Sequence, residues 1–233
     1  MVELSIIIPA YNEELVIERT INSYINFFRK RKLDFEINII LNGCIDNSAK
    51  IISNLAKKNK EIKFIDIKEP IGKGGAVIEG FKIARGDLLC YVDADGSTSP
   101  EALNDLLGRL GQNHGIMASR YVKGSKILNK QPIFRVAASR GFNILTRMML
   151  SLNFKDTQCG GKVFKKEAIK PILNELVVKG WAFDVNILYL LKKYNYKMIE
   201  VPTIWSDRIE SKLKMHKAIP NMFLALLKIR LKS

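Results

Sequence analysis

Short β-rich runs, each followed by a segment with helical spacing of its apolar residues, recur through the first hundred residues. The runs are Leu4 to Ile8, Ile37 to Leu41, Ile62 to Ile67 and Leu88 to Val92. A strand of continuous Ile, Leu and Val has both faces buried, and such strands separated by helices specify a parallel sheet covered on both sides. Ile17, Ile21, Tyr24, Ile25 and Phe28 share one face of an expected first helix. Further helices are expected over Asn47 to Lys58, Gly75 to Ala84 and from Pro100 to about Leu110. In doubly wound sheets, ligands bind in the crevice beyond the strands' C-terminal ends. The polar and glycine-rich segments lie at those ends: Pro9 to Glu13, Asn42 to Asp46, Gly72 to Gly75, and Asp93 to Asp95.

The second half is less regular. Ile116 to Ser119 reads as a strand ending at Arg120, and Ile133 to Leu152 as a helix carrying Arg135, Arg140 and Arg147. A turn over Asp156 to Gly161 precedes a short strand, then a helix near Glu167 to Leu176. Trp181-Ala182-Phe183-Asp184 opens a helix reaching Lys193, and Met198 to Val201 forms a last strand. No repeat or Gly/Ser linker divides the 233 residues, so residues 1–214 are expected to form one α/β domain followed by a basic tail, 215–233.

Cys44, Cys90 and Cys159 form no C-x-x-C pair, and two His exist in all, which fits a reducing compartment and argues against structural zinc. The start of the chain shows no secretory signal pattern, and no run approaches the roughly 20 apolar residues of a spanning helix. A cytoplasmic protein, peripheral on the cytoplasmic face of a membrane, is expected. Thirty-eight basic against 23 acidic residues give a formal charge of +15, which favours anionic partners. The basic residues concentrate at Arg29 to Lys32 and between Arg208 and Lys232. After Pro220, the apolar residues Met222, Phe223, Leu224, Leu226, Leu227, Ile229 and Leu231 are joined by Lys228, Arg230 and Lys232. An amphipathic helix of this kind suits a lipid headgroup interface, and packing on the protein's own core is the alternative.

Asp93-Ala94-Asp95 is the most informative local feature. Two carboxylates at i and i+2 beyond a buried strand can reach one hard divalent cation, Mg2+ or Mn2+, with a diphosphate supplying further oxygens. The same pair also suits an Asx turn at a strand end. Gly72-Lys73-Gly74-Gly75 brings backbone N–H groups and an ammonium to a helix N-terminus, although P-loop spacing is absent. Arg120, Arg140, Arg208 and Lys212 follow strand ends or turns, and arginine suits bidentate phosphate contacts. Asp184, in the first turn of its helix, complements the helix dipole or serves as a general base.

Taken together, these residues resemble the family 2 glycosyltransferases of the GT-A fold. Ser5 to Glu13, Gly72-Lys73-Gly74-Gly75-Ala76 and Tyr91-Val92-Asp93-Ala94-Asp95-Gly96 carry the likeness in order and spacing. The second half looks most like the polyprenyl-phosphate (dolichyl-phosphate) sugar synthases, nearest their glucosyltransferase branch. That likeness rests on Ala118-Ser119-Arg120, Ser139 to Asn143, Asp156-Thr157-Gln158-Cys159-Gly160, Trp181-Ala182-Phe183-Asp184 and Ser211-Lys212-Leu213. The resemblance implies an inverting transfer of a hexose from a nucleotide sugar, UDP-glucose favoured, to a polyprenyl or dolichyl phosphate. It implies a nucleotide site of Pro9, Ala10, Tyr11, Glu13, Asn42, Lys73, Asp93, Ala94 and Asp95, with Asp93 and Asp95 binding Mg2+ or Mn2+. Arg120, Arg140, Gln158, Trp181, Arg208, Ser211 and Lys212 would gather the donor and acceptor phosphates, and Asp184, Arg120 and Arg140 would carry catalysis.

Two departures bear on that reading. Leu41-Asn42-Gly43-Cys44-Ile45-Asp46 replaces the family's D-D-G-S-x-D, removing the acid expected to read the base and leaving uridine and guanosine open. Asn186 also replaces an acid often found two residues after Asp184. GDP-mannose as donor and a soluble or glycan acceptor are the enzymatic alternatives. A nucleic-acid-binding α/β protein is the non-enzymatic one, but its motifs are absent and it gives Asp93 and Asp95 no role, so no nucleic-acid partner is expected.

Overall fold

The computed structural model describes residues 2–128, 133–205 and 215–232, without the side chains of 133–135 and 215–219. Its first half follows the expected alternation: β1 (Leu4–Ala10), α1 (Ile17–Lys30), β2 (Phe35–Asn42), α2 (Ser48–Lys58), β3 (Ile62–Ile67), α3 (Lys73–Ile83), β4 (Leu88–Tyr91) and α4 (Pro100–Arg109). The second half contains β5 (Gly115–Ser119), β6 (Lys126–Ile127), α5 (Ile133–Leu150), β7 (Lys162–Lys165), α6 (Lys166–Ile169), α7 (Phe183–Lys193), β8 (Met198–Pro202), β9 (Ile204–Trp205) and α8 (Met215–Leu231).

The main sheet runs β3-β2-β1-β4-β7-β5-β8. The chain winds outward from β1 to β3, then returns to lay β4 parallel against the other edge of β1, pairing Leu4 with Leu88 and Ile7 with Tyr91. This reversal is a topological switch point, and it opens the crevice between the loops after β1 and β4. β7 runs antiparallel to both neighbours, β4 and β5. The sheet is therefore mostly parallel, as expected, with one reversed strand. The two-residue strands β6 and β9 pair separately.

Side-chain alternation in β1 divides the core. Leu4, Ile6, Ile8 and Ala10 pack with the apolar faces of α1, α2 and α4. Ile7 points the other way, into a second cluster that includes Val77 and Phe81 of α3, and residues of α5, α6, α7 and α8. Burying both faces is what requires the strands to be apolar at successive positions.

Two boundaries differ from expectation. The helix expected near Glu167 to Leu176 is a single α turn followed by a 3-10 segment, Lys170–Glu175. Pro171 has no N–H to donate to an i−4 carbonyl, so the longer α-helix is not sustained. At the C-terminus, α8 begins at Met215 and runs through Pro220. Met222, Leu226 and Ile229 are buried in the second core cluster, while Phe223, Leu224 and Leu231 are exposed. The helix thus turns one apolar stripe inward and leaves a mixed apolar and cationic face outside.

The end of the sheet opposite the crevice is closed by buried Glu36. Its carboxylate accepts hydrogen bonds from Ser5 Oγ at 2.8 Å, Asn38 Nδ2 at 3.2 Å, and Arg85 N and Nε at 2.7 and 2.9 Å; Lys63 Nζ lies at 3.2 Å. Burial alone would raise Glu36, but the hydrogen bonds from Arg85, Ser5 and Asn38 outweigh it and hold the carboxyl at about 2 against an ordinary 4.5. A depressed folded-state value stabilises the protein fully above about pH 4.5, with the contribution lost as pH falls towards 2. The span corresponds to about 3 kcal/mol. Glu36→Gln is therefore expected to lower the melting temperature at pH 7 by roughly 5 to 10 °C and to flatten the acid limb of stability between pH 5 and 2. Calorimetry across that range checks both.

Candidate active site

The crevice is built from four loops that the fold ties to one another. After β1, Asn12 adopts a positive φ of 54°, and the loop is stitched to the one after β2. Asn12 N donates to Cys44 Sγ at 3.5 Å, Ile45 N to Asn12 Oδ1 at 2.8 Å, Glu13 N to Ser48 Oγ at 2.8 Å and Glu14 N to Asp46 Oδ2 at 3.0 Å. Cys44, at the expected serine's position, thus serves the loop through its thiol. Asn42 is buried and accepts from Ile71 N at 2.8 Å, which anchors the glycine-rich turn that follows. Pro9 and Glu13 are partly covered, Ala10 is buried and Tyr11 is 46% exposed at the crevice mouth.

Gly72 has a φ of 80°, and a Cβ there would stand 2.5 Å from Lys179 O. Gly75 N donates to the same carbonyl at 3.1 Å. A Cβ on Gly74 would collide with Phe183 at 2.4 Å. These glycines let the turn seat directly on the loop leading into α7, bringing Lys73 beside Asp93, Trp181 and Asp184. Lys73 Nζ lies 2.5 Å from Asp93 Oδ1 and 5.5 Å from the Trp181 ring centre. Burial disfavours the ammonium, but Asp93, Asp184 and Asp95 outweigh it and raise its pKa.

Asp93 and Asp95 project from the turn after β4, with Ala94 buried between them. Asp95 Oδ1 accepts from Ser97 N at 2.8 Å. Burial, then the adjacent Asp93 charge, raise Asp95 above the usual carboxylate range. A cation would relieve that crowding, and Lys73 already supplies one on Asp93. Two carboxylates suit a hard divalent ion only with further oxygens from a ligand such as a diphosphate, because no group of three or more acidic, His or Cys side chains suited to a metal occurs among the described residues.

The turn Asp156 to Gly161 is held from three sides. Asp156 is fully buried and takes a fork from Arg120, at 2.7 Å from Nε and 2.8 Å from Nη2, plus Arg120 N at 2.9 Å. Asn143 Oδ1 accepts from Thr157 N and Oγ1, and Glu200 Oε1 from Asp156 N. The turn presses Gly160 against Asp93, where a Cβ would lie 2.9 Å from Oδ2. Burial opposes the Asp156 charge, but Arg120 reverses this and holds the carboxyl below its usual range.

The expected site residues divide accordingly. Asp93, Asp95, Lys73, Trp181 and Asp184 converge. Arg120 reaches the same region, but the fork expected to take phosphate is committed to Asp156, and its guanidinium packs against Tyr121 and Trp205. Arg140 is exposed and stacks on Tyr121 at 4.8 Å, so this ring stands between two guanidinium groups. Gln158 is partly covered. Arg208, Ser211 and Lys212 lie outside the described residues. Lys162 was not anticipated. It is 0% exposed, and Nζ donates to Asp184 Oδ1 at 2.6 Å and to Cys159 O at 2.7 Å. Its signal in the sequence is a lysine opening the otherwise apolar run Val163-Phe164 directly after a glycine pair.

A switch-point crevice with an acidic pair at its floor is the architecture of a GT-A nucleotide-sugar transferase. The model for glycosyl transferase family 2 matches residues 5–173, and the chain belongs to that family. Dolichyl-phosphate beta-glucosyltransferase of Dictyostelium discoideum is 33% identical over 240 residues, covering 97% of this chain and 73% of that protein. The human protein of the same name is 28% identical, covering 91% and 69%. Glucosyl-3-phosphoglycerate synthase from Mycobacterium tuberculosis, solved with Mn2+, UDP and phosphoglyceric acid, shares the fold with a TM-score of 0.70 over 98% of this chain and 78% of that one, at 15% identity.

Removing one partner of a buried ion pair typically costs about 3 to 5 kcal/mol. Asp156→Ala is thus expected to lower the melting temperature by roughly 10 °C or more, with Arg120→Met/Asp156→Leu recovering much of the loss, as thermal unfolding of the three proteins will show.

Proposed function

We propose that this glycosyltransferase moves a hexose, glucose from UDP-glucose in the favoured case, onto a polyprenyl or dolichyl phosphate with inversion at the anomeric carbon. The observation that carries the reading is the convergence of Asp93, Asp95, Lys73, Trp181 and Asp184 in one crevice at the switch point. The acceptor assignment draws on the names of the Dictyostelium and human relatives. The use of UDP and a divalent ion draws support from the mycobacterial complex.

The chemistry follows from the acceptor. A phosphate monoester has its second pKa near 6 and is largely dianionic at neutral pH, so its oxygen attacks with little need of a base. Asp184 then accepts hydrogen bonds from hydroxyls of the sugar or the acceptor and fixes their orientation. The half-exposed Trp181 ring offers a flat wall for the sugar, and the loop around Tyr11 receives the nucleoside. Lys73 and the exposed Arg140 offset the charge of two anions brought together. Mg2+ or Mn2+ held by Asp93, Asp95 and the donor diphosphate would stabilise the leaving nucleoside diphosphate.

The outer face of α8 supports membrane contact. Phe223, Leu224 and Leu231 are exposed beside Lys228, Arg230 and Lys232, and α8 packs on α5, whose Ile144 and Met148 are exposed too. Each basic residue adds about 1 kcal/mol near an anionic surface. No described helix is long and apolar enough to cross a membrane. The exposed apolar and cationic residues of α8 support peripheral attachment, and three free cysteines fit the cytoplasmic face.

Labelled sugar should enter the organic phase from UDP-glucose with a polyprenyl phosphate, and EDTA or Asp95→Ala should reduce the rate by about 100-fold or more. Transfer from GDP-mannose alone would replace the donor, and transfer to neither lipid product would reject the acceptor. Leu224→Glu/Leu231→Glu is expected to release the protein from anionic liposomes at unchanged melting temperature. Retention on the liposomes would remove α8 from the membrane reading.

A further inference from the structure

Lys162 has a position that packing alone does not explain. It opens β7 between β4 and β5, beneath the crevice floor, and none of its surface reaches solvent. Its ammonium touches Asp184 Oδ1 and Cys159 O and lies 5.4 Å from the centre of the Tyr91 ring. Asp184 is 5% exposed, and Lys73, itself paired with Asp93, is close enough to act on its charge. Asp156 and Cys159 contribute from the preceding turn. Burial pushes the Asp184 carboxyl up to about 8, with Lys73 opposing, and the Lys162 ammonium down to about 8, with Cys159 and Asp156 opposing. A buried aspartate without this hydrogen-bonding partner would be free to turn about its χ angles.

We propose that Lys162 is a positioning residue for sugar transfer: its ammonium, fixed by Cys159 O and the Tyr91 ring, holds the Asp184 carboxyl in one orientation at the crevice floor, where it meets hydroxyl groups of the bound substrate. The inference rests on the proposed role of Asp184 in the transfer reaction. It assigns to β7 a task distinct from lining the sheet. The antiparallel strand carries a cation under the active-site carboxylate, on the edge of β4 opposite its parallel neighbour β1. A lysine acting here through Asp184 should have no effect of its own once Asp184 is replaced.

Lys162→Met, Asp184→Asn and Lys162→Met/Asp184→Asn, made in the full chain, test this. Lys162→Met is expected to lower kcat by about 100-fold, the scale of a displaced catalytic group, with the dissociation constant of bare UDP or GDP within about threefold of wild type. The double variant should be no slower than Asp184→Asn to within about threefold, because the two residues act as one unit. Lys162→Met within threefold of wild type, or losses that multiply in the double variant, would overturn the proposal. If Lys162→Met does not fold, the double variant, with no unpaired buried charge, is the comparison with Asp184→Asn that decides. If wild type binds nucleotide but transfers to no polyprenyl phosphate, the proposed reaction falls. The pair is then judged on the affinity that the nucleotide sugar gains over the bare nucleotide. A gain lost in both Lys162→Met and Asp184→Asn upholds the positioning role, and an equal gain in wild type and Lys162→Met rejects it.

Discussion

The backbone pairing of β4 with β1 is the interaction on which the rest of this molecule depends. By returning across β1 rather than continuing outward past β3, the chain leaves the ends of two adjacent parallel strands diverging into loops on opposite sides of a crevice. Every residue with a chemical role is placed relative to that crevice. Ala10 to Glu13 stand at one wall because β1 ends there, and Asp93 and Asp95 at its floor because β4 does. β7 must then run antiparallel along β4. Its preceding turn is thereby brought against Asp93 and its first residue beneath Asp184.

Around the floor, three carboxylates each meet a cation from a different element. Asp93 meets Lys73 of α3, Asp156 meets Arg120 at the end of β5, and Asp184 meets Lys162 of β7. Such pairs contribute little net stability compared with apolar packing, but breaking one leaves an uncompensated charge in low dielectric. Each pair therefore ties together loops that are distant along the chain. The excess of positive charge, which in isolation suits nucleic acid as well, includes Lys73, Arg120 and Lys162 around the crevice and Lys228, Arg230 and Lys232 beside an apolar helix face.

Much of this was legible in the residues. The strand and helix alternation of the first half, the glycine-rich turn and the acidic pair after β4 all appear where their local patterns put them, since propensity and burial agree there. The reversal of β7 was not legible, because Lys162 to Lys165 offers four residues with no directional signal and strand direction depends on partners far away in sequence. Nor was the fate of Arg120. An arginine after a strand end reads as a phosphate ligand until Asp156, 36 residues later, is seen to occupy its fork. Pro171 ended an expected helix by removing a donor, whereas Pro220 was accommodated inside α8, where burial of Met222, Leu226 and Ile229 outweighs one missing hydrogen bond.

By itself the sequence determined which segments are strands, which loops hold polar chemistry and which family motifs occur in order. Those properties are encoded by residues within a few positions of one another. Which loops meet, which charges neutralise which, and which stripe of the last helix faces the core were decided by the tertiary structure. The physical reason is that ion pairs and packing act between groups that are distant along the chain and close in space. A lysine in a strand has the same sequence neighbours whether it ends in water or beneath a buried carboxylate.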